Sequence, residues 1–498
     1  MISSTPGQSP TRQREEEQED GTRMQQRRVP EPLTRQALRQ CALERQSIER
    51  RAIEAINWGL PAVNYDLMRH AMHRDAGGRM NQVLYWSRPF DWKNQMLTPN
   101  PDVIYVMPFF DLCEAGPMVI EIPPAGDDGS ITGTIMDCWQ APLEDVGPAG
   151  KDAGKGGRYV VLPPGHSDQL PEGFIALPSR NNEGYALLRS IPKSGSPEDL
   201  ARAVAYAKRI GFYPLSAAEA SGAPSGASGA PSGAASPPST VFIDAIDVVF
   251  DSTIPYDIRF FQSLDRIVQH EPWLDRDKAM IDVLRTLGIE KGKEFRPDAD
   301  TRMLLGAAAL DARDSLDARF EASLKPFHEG ARWSLPFSEE LGETVASAYE
   351  KTDAYSVDAR GVAVSYSFST VKNFGVGQAY LLTIADADGR PLDGSNAYRL
   401  LVPANPPVTQ YWSAVAYDRA THALMRNIER PSRSSLTPEL AKEDDGSVEL
   451  VFAPAAPNED ANWIPTSAGE QFEVVFRFYG PQPAFFDKSW RLPDIELL

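Results

Sequence analysis

The sequence predicts an α+β protein rich in β-strands, in which two β-rich regions flank a helical one. Between about residues 84 and 190, short apolar segments are separated by Pro and Gly at short intervals, which is typical of an antiparallel sandwich or barrel. Residues 256–349 carry apolar side chains at helical spacing. From about residue 363 the short apolar segments return, and Asp/Gly turns at 387–389 and 444–446 favour hairpins.

The first folded region, residues 34–215, is predicted to be a domain of helices followed by strands. Apolar residues recur at helical spacing over 35–57. A second helix is expected over 62–74, because Gly59 and Pro61 interrupt the pattern. The predicted strands lie at 103–112, 118–124, 130–139 and 158–165, and a short helix at 200–210 follows them.

The helical segment is predicted over residues 240–350 and a C-terminal β-sandwich domain over 351–498. The C-terminal strands are expected at 362–371, 378–389, 398–404, 409–418, 447–454 and 471–480. In the last of them Phe472, Val474, Phe476 and Phe478 alternate with Glu473, Val475, Arg477 and Tyr479. Because side chains alternate between the two faces of a strand, the even positions should enter a core. Arg477 and Tyr479 should then lie in line on the opposite face.

Two segments are not expected to fold. Residues 1–33 are rich in Gln, Glu and Arg with almost no apolar content, which predicts a disordered tail. The tail has no apolar signal segment, so a cytoplasmic location is the expectation. Residues 216–239 are Ala, Gly, Ser and Pro in imperfect repeats, which predicts a flexible insertion.

Composition excludes several classes of protein. No apolar run approaches the ~20 residues of a membrane span, so no membrane partner is expected. A net charge of −19 argues against a nucleic-acid partner, because phosphate backbones require a basic surface. Three cysteines are too few for a disulfide framework or a zinc knuckle. Cys113 and Cys138 lie in apolar, strand-like segments and are predicted to be buried thiols.

Familiar motifs do not identify a reaction. The Gly-rich residues 147–157 fail the phosphate-loop pattern at both ends, which favours a tight turn. Residues 375–380 lack the third glycine of a dinucleotide-binding motif. His70 and His73 are spaced to share a metal ion on one helix face, but Arg69 and Arg74 beside them favour an ordinary polar face. No metal or other cofactor is assigned.

Two sets of residues are candidates for a site. Asp102 follows the residues TPNP, Asp111 ends a predicted strand and Asp137 lies near the end of another. If these strands pair, the acids could converge for general acid/base work; the alternative is that each caps a local turn. A polar-aromatic set suits a carboxylate, a phosphate or a sugar face and comprises Tyr411, Trp412, Asn462, Trp463, Arg477 and Tyr479. The alternative is that these aromatics pack between sheets and Arg477 pairs with an acid on a neighbouring strand.

Long motifs carry a resemblance to a known family. The first part contains INWGLPAVNY (56–65), TPNPDVIYVMPFFDL (98–112) and GPMVIEIPP (116–124). The second contains VTQYWSAVAYD (408–418) and FRFYGPQPAFFDKSW (476–490). The chain resembles a bacterial and fungal tandem-domain family of unknown function, in which a 1254-type domain precedes a 1214-type domain. The resemblance implies two antiparallel β-sandwich, jelly-roll-like domains with a helical segment between them. Members often look exported.

Two functional hypotheses follow. One is an enzyme that hydrolyses or eliminates from a small organic or sugar-like substrate, with Asp102 and Asp111 as acid/base groups and Arg477, Tyr411 and Trp463 in binding. The other is a non-catalytic ligand-binding or assembly protein using the same aromatics. Exposed aromatic strands make a homo-oligomer a further expectation.

Overall fold

The computed structural model describes residues 34–220, 239–347, 351, 353–367, 371–373, 377–458 and 461–498. The predicted tail (1–33) and residues 221–238 of the predicted insertion (216–239) therefore lie outside the described residues. The chain divides into two compact units, Met1–Arg45 and Gln46–Leu498. The first is described only from residue 34, and a helix begins at Arg35. The packing and the sites below belong to the second unit.

The N-terminal part contains α1 (Arg35–Asp75), β1 (Gln82–Tyr85), β2 (Asn94–Gln95), β3 (Ile104–Asp111), α2 (Leu112–Ala115), β4 (Met118–Ile122), β5 (Ile131–Asp137), β6 (Pro142–Val146), β7 (Gly157–Leu162), β8 (Phe174–Pro178), β9 (Glu183–Ser190), α3 (Pro197–Ala207), β10 (Gly211–Pro214), α4 (Leu215–Ala220), β11 (Phe242–Asp244) and β12 (Phe250–Asp251). The helical part contains α5 (Ile258–His270), α6 (Met280–Thr286), α7 (Ala299–Ser323), α8 (Glu339–Ala346) and α9 (Val357–Tyr366). The C-terminal part contains β13 (Gln378–Thr383), β14 (Tyr398–Val402), β15 (Val408–Asp418), β16 (Ser432–Ser434), β17 (Val448–Ala453), β18 (Asn462–Pro465), β19 (Phe472–Pro481), α10 (Pro483–Phe486) and β20 (Glu496–Leu497).

The predicted α+β class is confirmed, with the strands arranged in several sheets. In the N-terminal part a six-stranded sheet (β11-β1-β3-β9-β5-β6) and a four-stranded sheet (β10-β4-β7-β8) share one apolar core. Val106 of the first sheet and Ile120 of the second lie in this core. Most strand pairs are antiparallel, but β1–β11, β2–β12, β7–β8 and β17–β18 are parallel. The Gly-rich residues 147–157 form the turn from β6 to β7, as predicted.

Two further four-stranded sheets form the C-terminal part, in the orders β13-β19-β15-β16 and β18-β17-β14-β20. They also share an apolar core, to which β19 contributes Phe472, Val474, Phe476 and Phe478. The alternation predicted for this strand is therefore confirmed. Its other face carries Glu473, Arg477 and Tyr479. All three are buried, because this face of the sheet packs against the third core described next.

A third core lies between the six-stranded sheet and the β13-β19-β15-β16 sheet, and it positions the candidate site. The outward-facing side of each sheet contributes aromatic residues, such as Tyr105 from β3 and Tyr479 from β19. Residues of α1, α5, α7 and α9 complete this core. No helix of the described part of the chain is long and apolar enough to cross a membrane.

Several predicted elements were wrong. Helix α1 continues through Gly59 and Pro61, because residues 52–72 are buried almost without interruption and tertiary packing outweighs the local interruption. The strand predicted at 362–371 is helix α9 as far as Tyr366, because residues 360–366 are all buried and tertiary packing outweighs the local alternation of apolar and serine residues. Cys138 is buried as predicted, but Cys113 lies on α2 and is exposed.

Candidate anion-binding site

A cavity of about 300 Å³ lies at the edge of the third core. Its polar floor is formed by side chains from both β-rich parts of the chain, namely Asn100, Tyr105, Arg189, Tyr380 and Arg477. Apolar residues form most of the remaining wall, and they come from the segment before α8, from α8 and α9, and from α10. The cavity therefore combines a cationic floor with apolar walls.

Strand register places the two arginines. In the C-terminal sheet Arg477 of β19 lies opposite Tyr380 of β13 on one side and Ser413 of β15 on the other. In the six-stranded sheet Arg189 of β9 lies opposite Tyr105 of β3. Opposed residues on neighbouring strands share one face of a sheet, so each guanidinium group is held beside a phenol ring.

Arg477 is 3% exposed, and its contacts leave part of its hydrogen-bonding capacity unused. Its Nη2 donates to the Thr98 carbonyl at 2.8 Å, whereas Nη1 has no hydrogen-bond partner among the described residues. The guanidinium carbon lies 5.3 Å from the ring centre of Tyr380 and 5.5 Å from that of Tyr417. Described residues place no carboxylate oxygen within 4.0 Å of this group, so the predicted alternative of an acid on a neighbouring strand is wrong.

Arg189 is 7% exposed and resembles Arg477 in its surroundings. Its Nε donates to the Tyr105 hydroxyl at 3.3 Å, and its guanidinium carbon lies 5.2 Å from the centre of the same ring. Within the described chain it also has no ion pair to an acid. Two buried cations therefore face one cavity with aromatic rings beside them, and neither has a carboxylate oxygen within 4.0 Å among the described residues.

Two of the phenols near the cavity have a raised pKa, which favours their neutral form. Burial is the largest cause that raises the pKa of Tyr380, and burial likewise raises the pKa of Tyr411 well above its ordinary value. The Tyr105 hydroxyl accepts from the Asn100 backbone N–H at 3.0 Å as well as from Arg189. Because its oxygen already accepts twice, its proton is free to donate toward a ligand.

Asn100 orders the floor of the cavity. Its Nδ2 donates to the hydroxyls of Tyr411 and Tyr479, at 2.7 and 2.8 Å, and those two rings stack with centres 4.4 Å apart. Thr98, two residues earlier, has a backbone φ of 38°. A β-branched residue in this left-handed region is strained, and such strain concentrates at functional sites. The strained turn is what aims the Thr98 carbonyl at Arg477.

Asp102 lies next to this floor but opens onto a different cleft. Ser432 Oγ donates to its Oδ1 at 3.2 Å, and its Oδ2 is enclosed without a hydrogen-bond partner in the described structure. Burial raises the pKa of Asp102, although neighbouring serine hydroxyls and the charge of Arg477 act in the opposite direction. Asp102 and Arg477 are thus electrostatic neighbours, while the cavity is lined by Thr98 and Asn100 instead.

The structure brings together only part of the polar-aromatic set. Arg477, Tyr411 and Tyr479 meet beside Asn100. Trp412 points to the opposite face of β15 and stacks on Phe476 at 5.4 Å.

Asn462 and Trp463 lie on β18, in the other C-terminal sheet. The Asn462 amide bonds the backbone of Ala441 and Glu449, and Trp463 Nε1 donates to the Ala453 carbonyl. These two side chains hydrogen-bond the backbone of neighbouring segments and do not line the cavity.

The two remaining acids lie elsewhere. Asp111 ends β3, six residues beyond Tyr105 and therefore roughly 20 Å along the strand. Its Oδ1 accepts the backbone N–H groups of Cys113 and Glu114 at the start of α2. Asp137 accepts the backbone N–H groups of Trp139 and Ala141, both at 2.9 Å. Both carboxylates thus cap local turns, as the alternative reading of each acid proposed.

Sequence reasoning missed four residues of the floor: Asn100, Tyr105, Arg189 and Tyr380. One signal was present, because Arg189 is the single charged residue in the otherwise apolar run YALLRSIP (185–192). A lone ionisable side chain buried beside a cleft is a candidate for a functional site. The pair His70 and His73 belongs to none of the three-residue metal-ligand groups found among the described residues.

Fold and site together define a class: a two-part α+β protein with a buried cationic cavity where its two β-rich parts meet. The chain matches the model of a protein family of unknown function, DUF1254, over residues 80–214 and that of a second, DUF1214, over residues 377–483. The predicted tandem of the two domains is confirmed. Arg189 lies within the first matched segment and Arg477 within the second.

One solved structure, of a protein from Vibrio parahaemolyticus, supports the fold. The VPA0106 protein from Vibrio parahaemolyticus aligns with a TM-score of 0.53 at 17% identity, covering 91% of this chain and 100% of its own. An uncharacterised protein from Burkholderia cenocepacia aligns over 92% of this chain and 95% of its own, with a TM-score of 0.40 and 10% identity. The comparison with curated proteins gives no match.

Proposed function

We propose that this protein binds a small organic anion, a carboxylate or a phosphate on an apolar body, in the cavity between its two β-rich parts. The observation that carries the proposal is the pair of buried guanidinium groups, Arg189 and Arg477, that face one cavity without an acid partner among the described residues. Arginine is the side chain best suited to planar recognition of carboxylate and phosphate groups.

The physical reason is the free energy of burying charge. Removing a cation from water costs several kcal/mol even after relaxation, and only a nearby anion or several good hydrogen bonds offset that cost. Arg477 has one hydrogen bond to a carbonyl and Arg189 has one to a phenol. An anionic ligand would supply the missing charge and accept from the unused N–H groups.

The walls of the cavity indicate the rest of the ligand. Leu335, Leu341, Val364 and Phe485 line it, and they offer no hydrogen bonds to a sugar-like body. At about 300 Å³ the cavity lies at the lower end of the range for small-molecule sites. A compact acid with an aromatic or branched aliphatic body fits this description better than a carbohydrate does.

Hydrolysis or elimination with Asp102 and Asp111 as the acid/base pair stays a prediction. Asp111 lies far along β3 from the cavity and already accepts two backbone hydrogen bonds. This separation favours ligand binding over acid/base catalysis by these two acids. Jelly-roll topology, a cytoplasmic location and self-association likewise stay predictions.

The test is a comparison of matched ligands. The purified chain is screened by thermal shift against small aromatic and branched aliphatic carboxylates and phosphates, each paired with its neutral primary amide or alcohol. We expect stabilisation by members of the anionic set and none by their neutral partners, and loss of the effect in Arg477→Met and Arg189→Met. Equal responses to the charged and neutral members of each pair would contradict the proposal.

A further inference from the structure

A histidine and a carboxylate form a buried pair behind the turn that carries Thr98. His422 Nδ1 lies 2.9 Å from Glu473 Oε1, and both side chains are almost inaccessible to water. Glu473 belongs to β19, four residues before Arg477, so the side chains of these two residues lie on the same face of the strand. One strand thus supplies both a cation of the cavity and the acid that holds the histidine.

Neither member of the pair lines the cavity, but hydrogen bonds connect both of them to it. The His422 carbonyl accepts the Thr98 N–H at 2.6 Å. The Thr98 carbonyl in turn accepts Arg477 Nη2 at 2.8 Å. These connections form a closed loop, because Glu473 and Arg477 both belong to β19.

The backbone of His422 has a conformation that needs support. Its φ is 55°, in the left-handed region that non-glycine residues rarely adopt, although histidine is among the residues enriched there. Such a conformation persists only where the surrounding structure enforces it. Two contacts do so here: Nδ1 pairs with Glu473, and the His422 N–H donates to the Asp418 carbonyl at 2.8 Å. The direction of the His422 carbonyl therefore depends on Glu473.

The turn at Thr98 is also left-handed, with a φ of 38°, and distant segments fix it. Thr98 Oγ1 donates to the Tyr366 carbonyl at 3.1 Å, while the His422 carbonyl fixes the Thr98 N–H. In this arrangement the Thr98 carbonyl occupies Arg477 Nη2, and Nη1 has no hydrogen-bond partner among the described residues. A guanidinium group that is already held in place loses less conformational entropy when an anion binds.

We propose that Glu473 and His422 are positioning residues for the anion site, because they hold the turn that orients Arg477. This inference rests on the proposed anion binding. Glu473 Oε2 is enclosed and has no hydrogen-bond partner in the described part of the chain, and an unsatisfied buried carboxylate oxygen calls for an explanation other than stability. The charge of Glu473 opposes the binding of an anion, whereas its hydrogen bond to His422 favours it.

These two effects give opposite predictions for Glu473→Met, which removes the charge and the acceptor but keeps a side chain of similar size. Loss of a negative charge roughly 13 Å along the strand from Arg477 would by itself tighten anion binding. Loss of the support for the turn should instead weaken it about tenfold, the equivalent of one hydrogen bond. Affinity is measured by calorimetry with a carboxylate ligand identified by the thermal-shift screen.

His422 is tested by a pair of substitutions. His422→Asn keeps an N–H donor on the γ-carbon and tolerates a left-handed backbone, so its affinity should stay within about twofold of the parent value. His422→Ala keeps neither property and should resemble Glu473→Met. His270→Ala is the matched control, because His270 also faces a carboxylate, with Nε2 3.5 Å from Asp111 Oδ2, but at the far end of β3. Circular dichroism checks that each variant is folded, and Glu473→Met decides the result if His422→Ala is not.

A second measurement needs no ligand. Hydrogen–deuterium exchange of the free protein follows the Thr98 N–H, which should exchange at least about tenfold faster in Glu473→Met and His422→Ala, but not in His422→Asn or the control. Parent exchange rates in all variants, or anion affinity in Glu473→Met that is unchanged or tighter, would overturn the inference. Absence of anion binding by the parent protein would instead overturn the proposed function, and exchange at Thr98 would then decide whether the pair holds the turn.

Discussion

The substitution Arg477→Met tests whether Arg477 serves ligand binding or the stability of the fold. The free protein would lose one charge-assisted hydrogen bond, worth about 1.5–3 kcal/mol, and two ring contacts worth about 0.5–2 kcal/mol each. It would also be relieved of a buried unpaired cation, which costs several kcal/mol. These contributions oppose each other, so the unfolding free energy of the free protein should change by no more than about 2 kcal/mol.

The affinity for an anion should change much more. Truncating one partner of a buried charge pair costs about 2–5 kcal/mol, and 3 kcal/mol corresponds to roughly 100-fold in Kd. At a ligand concentration of about 100 times the parent Kd, binding stabilises the parent protein by about 2.7 kcal/mol. The same concentration would stabilise a 100-fold weaker variant by only about 0.4 kcal/mol.

The assay is chemical denaturation with and without a carboxylate ligand identified by the thermal-shift screen. Arg433→Met is the matched control, because Arg433 is also a buried arginine on this sheet but lines the other cleft. The control should keep the full response to the ligand. The reasoning is refuted if Arg477→Met responds to the ligand as the parent does. It is refuted equally if the free variant loses more than about 5 kcal/mol, since Arg477 would then be a structural residue.

Three other substitutions have distinct expected outcomes. Tyr380→Phe keeps the ring but removes a donor, so calorimetry should show anion affinity about fivefold weaker, near 1 kcal/mol, whereas unchanged affinity would exclude this hydroxyl from the site. Asp102→Asn should raise the unfolding free energy by about 1–2 kcal/mol at pH 7. The pKa of Asp102 is raised on folding, so this carboxyl group stabilises the fold fully at pH values below its ordinary pKa of 3.8, and that stability is lost as the pH rises. The gain from Asp102→Asn should therefore vanish near pH 3.8. Denaturation curves at about pH 7 and at pH 3.8 check it. Trp412→Ala should lose about 3–5 kcal/mol of stability from the core around Phe476 while anion affinity stays constant, and a selective loss of binding would instead place Trp412 in the site.

Strand alternation was the part of the site that the sequence could specify. The period of two in residues 472–479 placed Arg477 and Tyr479 on one face, and the same rule correctly sent Phe476 and Phe478 into the core. What the pattern could not specify is the partner of each face. Trp412 and Tyr411 are adjacent in sequence and equally aromatic, yet they point into different cores.

The remaining floor of the cavity depends on contacts between distant segments. Asn100 reaches Tyr411 across 311 residues of sequence and Tyr479 across 379. Local pattern carries no information on such pairings, which arise only when both sheets pack on the shared third core. Helix α9 shows the same limit, because its alternation of apolar and serine residues favours a strand, whereas burial of residues 360–366 by distant segments stabilises a helix.

If the cavity binds an anion as proposed, the location of the two guanidinium groups would account for the tandem of the two domains. Arg189 and Tyr105 belong to the DUF1254 segment, whereas Arg477, Tyr380 and the phenols bound by Asn100 belong to the DUF1214 segment. Neither segment alone encloses the cavity or places two cations in it. A ligand that pairs with both arginines would stabilise the contact between the two parts by the same free energy with which it binds. Selection for the anion would therefore act on both domains together and keep them in one chain.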